Sequence, residues 1–153
     1  LVSSASCVVS MRPGLDSCLR QRRTDLTSRI NLIFAGLQPG PVPERFNWTV
    51  QLGGERFTPS SEPMKRALAE MSGSDAASDL FLRVERQTIR KLPETGAVLF
   101  SIRICVDPLA PILADGPMKE QFAWAWRSTA EDVASYKGWP HYQHAIVWLL
   151  ASA

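Results

Sequence analysis

The stretch LFLRVERQTIRKLPETGAVLFSIRICV, residues 80–106, contains two segments in which apolar residues recur at every second position. In its first part, Leu80, Leu82 and Val84 point to one side, and Phe81, Arg83, Glu85 and Gln87 point to the other. In its second part, an apolar residue stands at every second position, namely Val98, Phe100, Ile102, Ile104 and Val106. The connection between the two parts is short and contains Gly96, which is typical of a hairpin loop. The stretch therefore predicts two antiparallel strands, each with one apolar face.

A third strand is predicted before the hairpin, because RFNWTVQL, residues 45–52, alternates in the same way. Its apolar positions are Phe46, Trp48, Val50 and Leu52. The polar positions of all three strands are then expected to share one face; they are Asn47, Thr49, Gln51, Arg83, Glu85, Gln87, Ser101 and Arg103. Two interpretations of that face stay open. It is either a solvated surface with cross-strand ion pairs, or a ligand site or layer contact.

Helices are predicted on both sides of these strands. Apolar residues spaced by three and four run from Leu19 to Leu37 and predict a helix that starts near Asp16 and ends before QPGPVP. The residues of this stripe are Leu19, Leu26, Ile30, Ile33, Phe34 and Leu37. Residues 64–71 are expected to form a second helix, and SGSDAAS after them a flexible connection.

The C-terminal third is expected to be helical throughout. Asp115-Gly116-Pro117 predicts one helix start, Thr129 with Asp132 resembles a capping box, and Pro140 opens a last helix. Aromatic and methionine residues here are interpreted as core or as a partner-facing surface; they are Met118, Phe122, Trp124, Trp126, Trp139 and Trp148. The whole pattern predicts a single α+β domain over residues 1–153, with helices packed on the apolar face of the antiparallel sheet.

Composition excludes few functions. The 153 residues carry a net charge of +2, which gives no argument for a nucleic-acid partner, and the basic cluster at residues 20–23 is interpreted as a solvated helix face. Three cysteines without CxxC spacing, Cys7, Cys18 and Cys105, favour an intracellular compartment over a disulfide framework or a zinc site. No apolar run has the length of a membrane span, so we expect no membrane segment.

The hairpin resembles the most characteristic block of the haem-dependent oxidative N-demethylase alpha-subunit-like family, which includes fungal HRQ family proteins. The family pattern is an R-x-E-R-Q-T strand, a leucine-proline turn, a G-A-V-x-F strand and a following P-L. It is met by Arg83, Glu85, Arg86, Gln87, Thr88, Leu92, Pro93, Gly96, Ala97, Val98, Phe100, Pro108 and Leu109. An R-x-N-W strand and a closing Y-K-G also match, through Arg45, Asn47, Trp48, Tyr136, Lys137 and Gly138. The resemblance is strongest over residues 80–109 and extends over about 24–138.

This resemblance implies a PAS-like sheet that binds haem, in a monooxygenase that uses dioxygen and a reductase component to remove methyl groups from small amines. On the shared polar face, we predict Glu85, Arg83 and Gln87 as the catalytic residues. Arg83 and Arg103 are suited to hold a haem propionate, because a guanidinium group pairs bidentately with a carboxylate. Glu85 would anchor an arginine or attract an ammonium substrate.

The chain departs from the family pattern before its first helix. Family members usually have an I-H-x-P-V-P run there, whereas this chain has CVVSMRPGLDSCLRQRR, without histidine. His141 and His144 are weak alternative iron ligands, as is Cys105, because terminal-helix histidines and strand cysteines are more commonly surface or packing residues. The departure leaves a second function open, a non-catalytic PAS-like remnant that acts as a binding or interaction module.

Overall fold

The computed structural model describes the backbone of residues 4–10 and 23–152, and the side chains of residue 28 and residues 30–152. The strands are β1 Ser4–Ser10, β2 Glu44–Leu52, β3 Leu80–Lys91 and β4 Val98–Pro108, in the sheet order β1–β4–β3–β2. The α-helices are α1 Arg23–Gly36, α2 Glu62–Glu70, α3 Gly73–Ser78, α4 Leu109–Leu113, α5 Gly116–Ser128, α6 Glu131–Tyr136 and α7 Gln143–Ser152, and Trp139–Tyr142 form a 3-10 helix. The predicted α+β class and the three predicted strands are confirmed.

The N-terminal helix predictions are confirmed in part. Helices α1 and α2 occupy the predicted places, but the expected helix start near Asp16, the basic side chains of residues 20–23, Cys18 and the side chain of Cys7 lie outside the described residues. The prediction of a flexible connection in SGSDAAS is wrong, because this segment contains α3. Ser72 caps α3, since its Oγ accepts a hydrogen bond from the Asp75 amide at 3.2 Å.

The C-terminal helices begin where capping chemistry allows. The predicted start of α5 is confirmed, because Asp115 Oδ1 accepts from the Met118 amide at 3.0 Å. The predicted capping box at Thr129 is wrong, since Ala130 is the N-cap of α6 and the Thr129 hydroxyl donates to the Ala125 carbonyl at 2.8 Å. The last helix opens with the 3-10 turn that contains Pro140 and continues as α7.

The described residues form two compact units. Residues 4–5, 48–84 and 104–152 make up one, called here the helical unit, and residues 6–10, 23–47 and 85–103 make up the other, called the hairpin unit. Each of the four strands contributes residues to both. None of the helices in residues 23–152 has the length and apolar character needed to cross a membrane.

The helical unit contains the main apolar core. Its largest fully buried side chains are Leu68, Leu80, Leu109, Leu113 and Ile146. The strand residues Trp48, Val50, Leu52, Leu80 and Leu82 belong to this core or pack against it, as their alternation predicted. Burying a leucine or isoleucine contributes about 1.5–3 kcal/mol, so this cluster is the main source of stability in the unit.

The hairpin unit has a defined strand register. The Ile89 amide donates to the Pro43 carbonyl at 3.0 Å, which places Arg45 opposite Gln87 in the antiparallel pair β2–β3. The Leu92 amide donates to the Ala97 carbonyl at 2.8 Å and closes the turn between β3 and β4. Gly96 has a φ of 66° in that turn, a backbone conformation that favours glycine.

The register corrects the prediction of one polar face. Thr88 and Ser101 are joined by a hydrogen bond of 2.6 Å, so Ser101 lies on the face of Thr88, and Arg103 follows on the same side. Glu85 and Gln87 lie on the opposite face, together with Ile102. The prediction that Ser101 and Arg103 share a face with Glu85 and Gln87 is therefore wrong. The prediction failed because the turn between β3 and β4 sets their register. A register shift of one residue moves every side chain of a strand to the other face of the sheet.

Apolar residues are more exposed in the hairpin unit than their pattern predicted. Phe46 is 63% exposed, and Ile30 and Ile33 of α1 are also exposed, whereas Leu37 is buried. The inward orientation expected for Phe46, Ile30 and Ile33 is therefore wrong. Periodicity identifies a strand or a helix, but it does not establish that a layer covers the apolar side.

Candidate functional site

Four polar side chains are connected in the hairpin unit. Gln87 is only 6% exposed, and its Oε1 accepts a hydrogen bond of 2.6 Å from Arg45 Nε. Its Nε2 donates to Glu85 Oε2 at 3.0 Å, and Asn47 Nδ2 donates to the same oxygen at 3.5 Å. We call Arg45, Asn47, Glu85 and Gln87 the carboxylate network. It unites two of the predicted catalytic residues, Glu85 and Gln87, with Asn47, which was expected on the same polar face, and with Arg45.

The network fixes the orientation of a half-buried carboxylate. Because Arg45 holds the oxygen of the Gln87 amide, the amide nitrogen is directed at Glu85. A carboxylate in a partly desolvated position interacts more strongly with a cation than one in bulk water. Such a group is chemically suited to bind an ammonium ion or a guanidinium group.

Arg83 belongs to the helical unit and supports a loop there. Its Nη1 donates to the Arg56 carbonyl at 3.0 Å and to Gln51 Oε1 at 3.4 Å. Gln51 is 4% exposed, and its Nε2 donates to the carbonyls of Gly53 and Glu55, both at 2.8 Å. Arg83 and Gln51 together hold the turn that follows β2. Sequence alternation could not reveal this function, because the acceptors in the turn are the backbone carbonyls of Gly53, Glu55 and Arg56.

Four aromatic side chains of the helical unit form a cluster. Trp126 and Trp139 stack with centroids 4.2 Å apart and an interplanar angle of 10°, and Trp48 packs on Trp139 at 4.7 Å. Phe122 contacts both Trp48 and Trp126, at 5.8 and 6.0 Å. The interpretation as core is thus confirmed for Phe122, Trp126 and Trp139. Trp124, Trp148 and Met118 are exposed and lie outside it.

Lys137 binds this cluster from the loop after α6. Its Nζ donates to the Trp48 carbonyl and lies 5.4 Å from the ring centroids of both Trp48 and Trp139. Cation–π contacts of this kind contribute about 0.5–2 kcal/mol. Gly138 adopts a φ of 71°, which lets the chain turn directly from Lys137 into the 3-10 helix. The Trp139 indole Nε1 then donates to Thr49 Oγ1 at 3.1 Å.

The fold and these sites define an α+β domain with an antiparallel sheet and an oriented carboxylate on one strand. The family model for haem-dependent oxidative N-demethylase, alpha subunit-like, matches residues 20–147. The chain therefore belongs to this family. The match reaches beyond the predicted limit near residue 138 and includes His141 and His144.

The structure joins the separate sequence blocks on which the resemblance rested. In the hairpin unit, Arg45 binds Gln87 and Asn47 binds Glu85, which connects the R-x-N-W block to the R-x-E-R-Q-T block. In the helical unit, Lys137 of Y-K-G binds the carbonyl of Trp48. The sequence blocks that resemble the family are therefore in contact with one another within each unit.

The family description implies haem, which requires an apolar cavity and a ligand atom for iron. Three cavities of about 870, 320 and 500 Å³ lie in the helical unit. The residues that line these three cavities include no histidine, cysteine, tyrosine or methionine. A haem placed in any of them would lack the usual axial ligands.

The candidate iron ligands His141, His144 and Cys105 do not line any of these three cavities. His141 and His144 are exposed and lie in two different helices, the 3-10 helix and α7, and Cys105 is a half-buried thiol in β4. Across residues 23–152, no group of three or more histidine, cysteine, aspartate or glutamate side chains could hold a metal ion. The linings of these cavities therefore identify no axial ligand for a haem, and we derive no chemical step through it.

Proposed function

We propose that the chain takes part in haem-dependent oxidative N-demethylation of small amines, and that its own contribution is to bind the amine as an ammonium ion at Glu85. The family match over residues 20–147 supports the reaction class. The observation that carries the amine site is the carboxylate network, in which Gln87 and Asn47 both donate to Glu85 Oε2. A reductase component is proposed as the electron source, in line with the oxidative chemistry of the family description.

Charge and apolar surface together support a methylated ammonium ligand. Small alkylamines are protonated at neutral pH, and a charge-assisted hydrogen bond to a carboxylate contributes about 1.5–3 kcal/mol. The register of β3 and β4 places Ile102 beside Gln87 on the face of Glu85, which offers apolar contact for a methyl group. Arg45 would set the orientation of Gln87 without touching the amine.

The predicted binding of an anionic haem group by Arg83 and Arg103 stays a prediction. Arg83 would have to bind it while retaining its contacts with Gln51 and Arg56. Arg103 lies on the face of Thr88, so it would act away from Glu85 and Gln87. Comparing haem affinity in Arg83→Gln and Arg103→Gln tests the two residues separately. Unchanged affinity in both variants would show that neither arginine binds the haem propionates.

The proposal that this chain acts in haem-dependent demethylation is tested by absorption spectroscopy of the purified chain titrated with haem. A sharp Soret band at one-to-one stoichiometry, followed by formaldehyde release from a methylated amine with dioxygen and a reductant, is the expected result. His141→Ala and His144→Ala identify a ligand if one of them abolishes the band. Absence of a specific band under conditions where the chain is folded would contradict haem binding by this chain.

The second candidate is a non-catalytic module that binds a cation or a partner. It rests on the carboxylate network, in which Gln87 and Asn47 orient Glu85, a group suited to bind a cation whether or not haem is bound. Ammonium binding that depends on Glu85 without any haem band would support this candidate. Formaldehyde production by the haem-loaded chain would reject it.

A further inference from the structure

A cleft of about 870 Å³ lies in the helical unit along one side of α5. Lys119, Ala123 and Arg127 follow one another at intervals of four residues, so they lie on the same face of this helix. The end of α4 contributes Leu113 and α7 contributes Leu150 to the lining. Small-molecule sites commonly enclose roughly 300–1,000 Å³, which makes the cleft large enough for a ligand of several rings.

The base of this α5 cleft is apolar. Leu113 and Ala123 are buried, and Leu150 is half-buried beside them. Trp124, which also lines the cleft, is 73% exposed. An indole exposed to this extent beside an apolar floor offers a platform on which a flat ring can stack.

The rim of the α5 cleft is net positive. Lys119 and Arg127 contribute two positive charges, and Glu120 contributes one negative charge. Because Arg127 is exposed, its guanidinium group can approach a ligand carboxylate bidentately. Ser128, the next residue, adds a hydroxyl that also lines the cleft.

We propose that the α5 cleft binds a small aromatic carboxylate. The ring lies on Trp124 and the apolar floor, and the carboxylate pairs with Arg127 and Lys119. This site is independent of the proposed amine site, because it takes a ligand of opposite charge in the helical unit. Loss of one site therefore leaves the other to be measured.

The test is calorimetric titration of the full chain with 2-naphthoate, a flat aromatic carboxylate. Arg127→Gln and Lys119→Gln are each expected to weaken binding by about tenfold, the equivalent of one charged hydrogen bond. Trp124→Ala is expected to weaken it as well. The matched control is Arg66→Gln, which removes an exposed arginine of α2 outside the cleft and should leave the affinity unchanged.

Ligand controls separate this proposal from unspecific apolar binding. 2-Naphthylmethylamine has the same ring and a positive charge, and it is titrated into Glu85→Gln, which lacks the proposed amine site; we expect no saturable binding of it there. Equal affinity for both ligands, or unchanged 2-naphthoate affinity in the Arg127 and Lys119 variants, would overturn the proposal. Failure of the wild-type chain to bind 2-naphthoate at millimolar concentration would overturn it too. The three replaced side chains are partly or largely exposed, and urea unfolding confirms that each variant is folded before titration.

Discussion

The helical unit and the hairpin unit each bury one glutamine on β2 or β3, and the partners of the two differ. Gln51 donates to two backbone carbonyls and accepts from Arg83, which holds a turn in place. Gln87 bridges two charged side chains, Arg45 and Glu85. Burial is similar in both, so the partners distinguish an amide that holds a turn from one that orients the carboxylate of the proposed amine site.

The largest expected effect contrasts the cores of the two units. Leu80→Ala should lower the free energy of unfolding by about 3 kcal/mol, because it opens a cavity at a fully buried position. Phe46→Ala should change it by less than about 1 kcal/mol, since Phe46 is largely exposed. Urea unfolding followed by circular dichroism measures both. Equal losses of unfolding free energy in the two variants would contradict the exposed position of Phe46.

The two glutamines should differ in the same assay. Gln51→Leu is expected to cost about 2 kcal/mol, because the Gly53 and Glu55 carbonyls lose their donor in a partly buried place. Gln87→Leu should cost about 1 kcal/mol, since the exposed Arg45 gains water in exchange. The reverse order of the two losses would contradict the assignment of structural and ligand-orienting roles.

A smaller effect on stability is expected at alkaline pH, and it comes from Tyr142 of the helical unit. Burial raises the pKa of Tyr142, and a backbone hydrogen bond at Leu52 opposes this effect only in part. The folded state therefore keeps its phenol proton at a pH where the unfolded chain, with a tyrosine pKa of about 10, loses it. Stability from this group is complete below about pH 10 and is lost as the pH rises towards the folded pKa.

Tyr142→Phe isolates that contribution. The wild-type chain should lose stability between pH 9 and pH 11 more steeply than the variant, as measured by urea midpoints at each pH. Identical slopes for the two proteins would show that Tyr142 has no part in the alkaline loss. The variant also reports at neutral pH what the hydroxyl itself contributes.

The sequence predicted the positions of strands and helices more accurately than the pairing of residues between them. Alternation located β2, β3 and β4, and capping chemistry located the start of α5, because both signals are local. The pairing of Thr88 with Ser101 depends on the register of the hairpin, which alternation leaves undetermined, so Arg103 was assigned to the wrong face. Helix α3 was missed because its six residues are polar or small and show no stripe.

The candidate site was predictable only where its residues share a strand. Glu85 and Gln87 were identified from their common spacing and resemblance, and the structure places them in one network. Asn47 was expected on the same face, but its contact with Glu85 and the contact of Arg45 with Gln87 were not predicted, because both depend on the pairing of distant strands. The contact of Lys137 with Trp48 joins residues that are still further apart in the chain, and no pattern in the sequence encodes it.

The most direct test of the amine site is a nuclear magnetic resonance titration of the chain with dimethylammonium chloride at constant ionic strength. In the wild type, saturable shifts should centre on the amides around Glu85 and on the side-chain amides of Gln87 and Asn47. Glu85→Gln should abolish saturation, whereas Glu44→Gln, which removes an exposed carboxylate paired with Arg86, should retain it. Saturable shifts that persist in Glu85→Gln, or their absence from the wild type, would contradict the assignment of Glu85 as the amine-binding group.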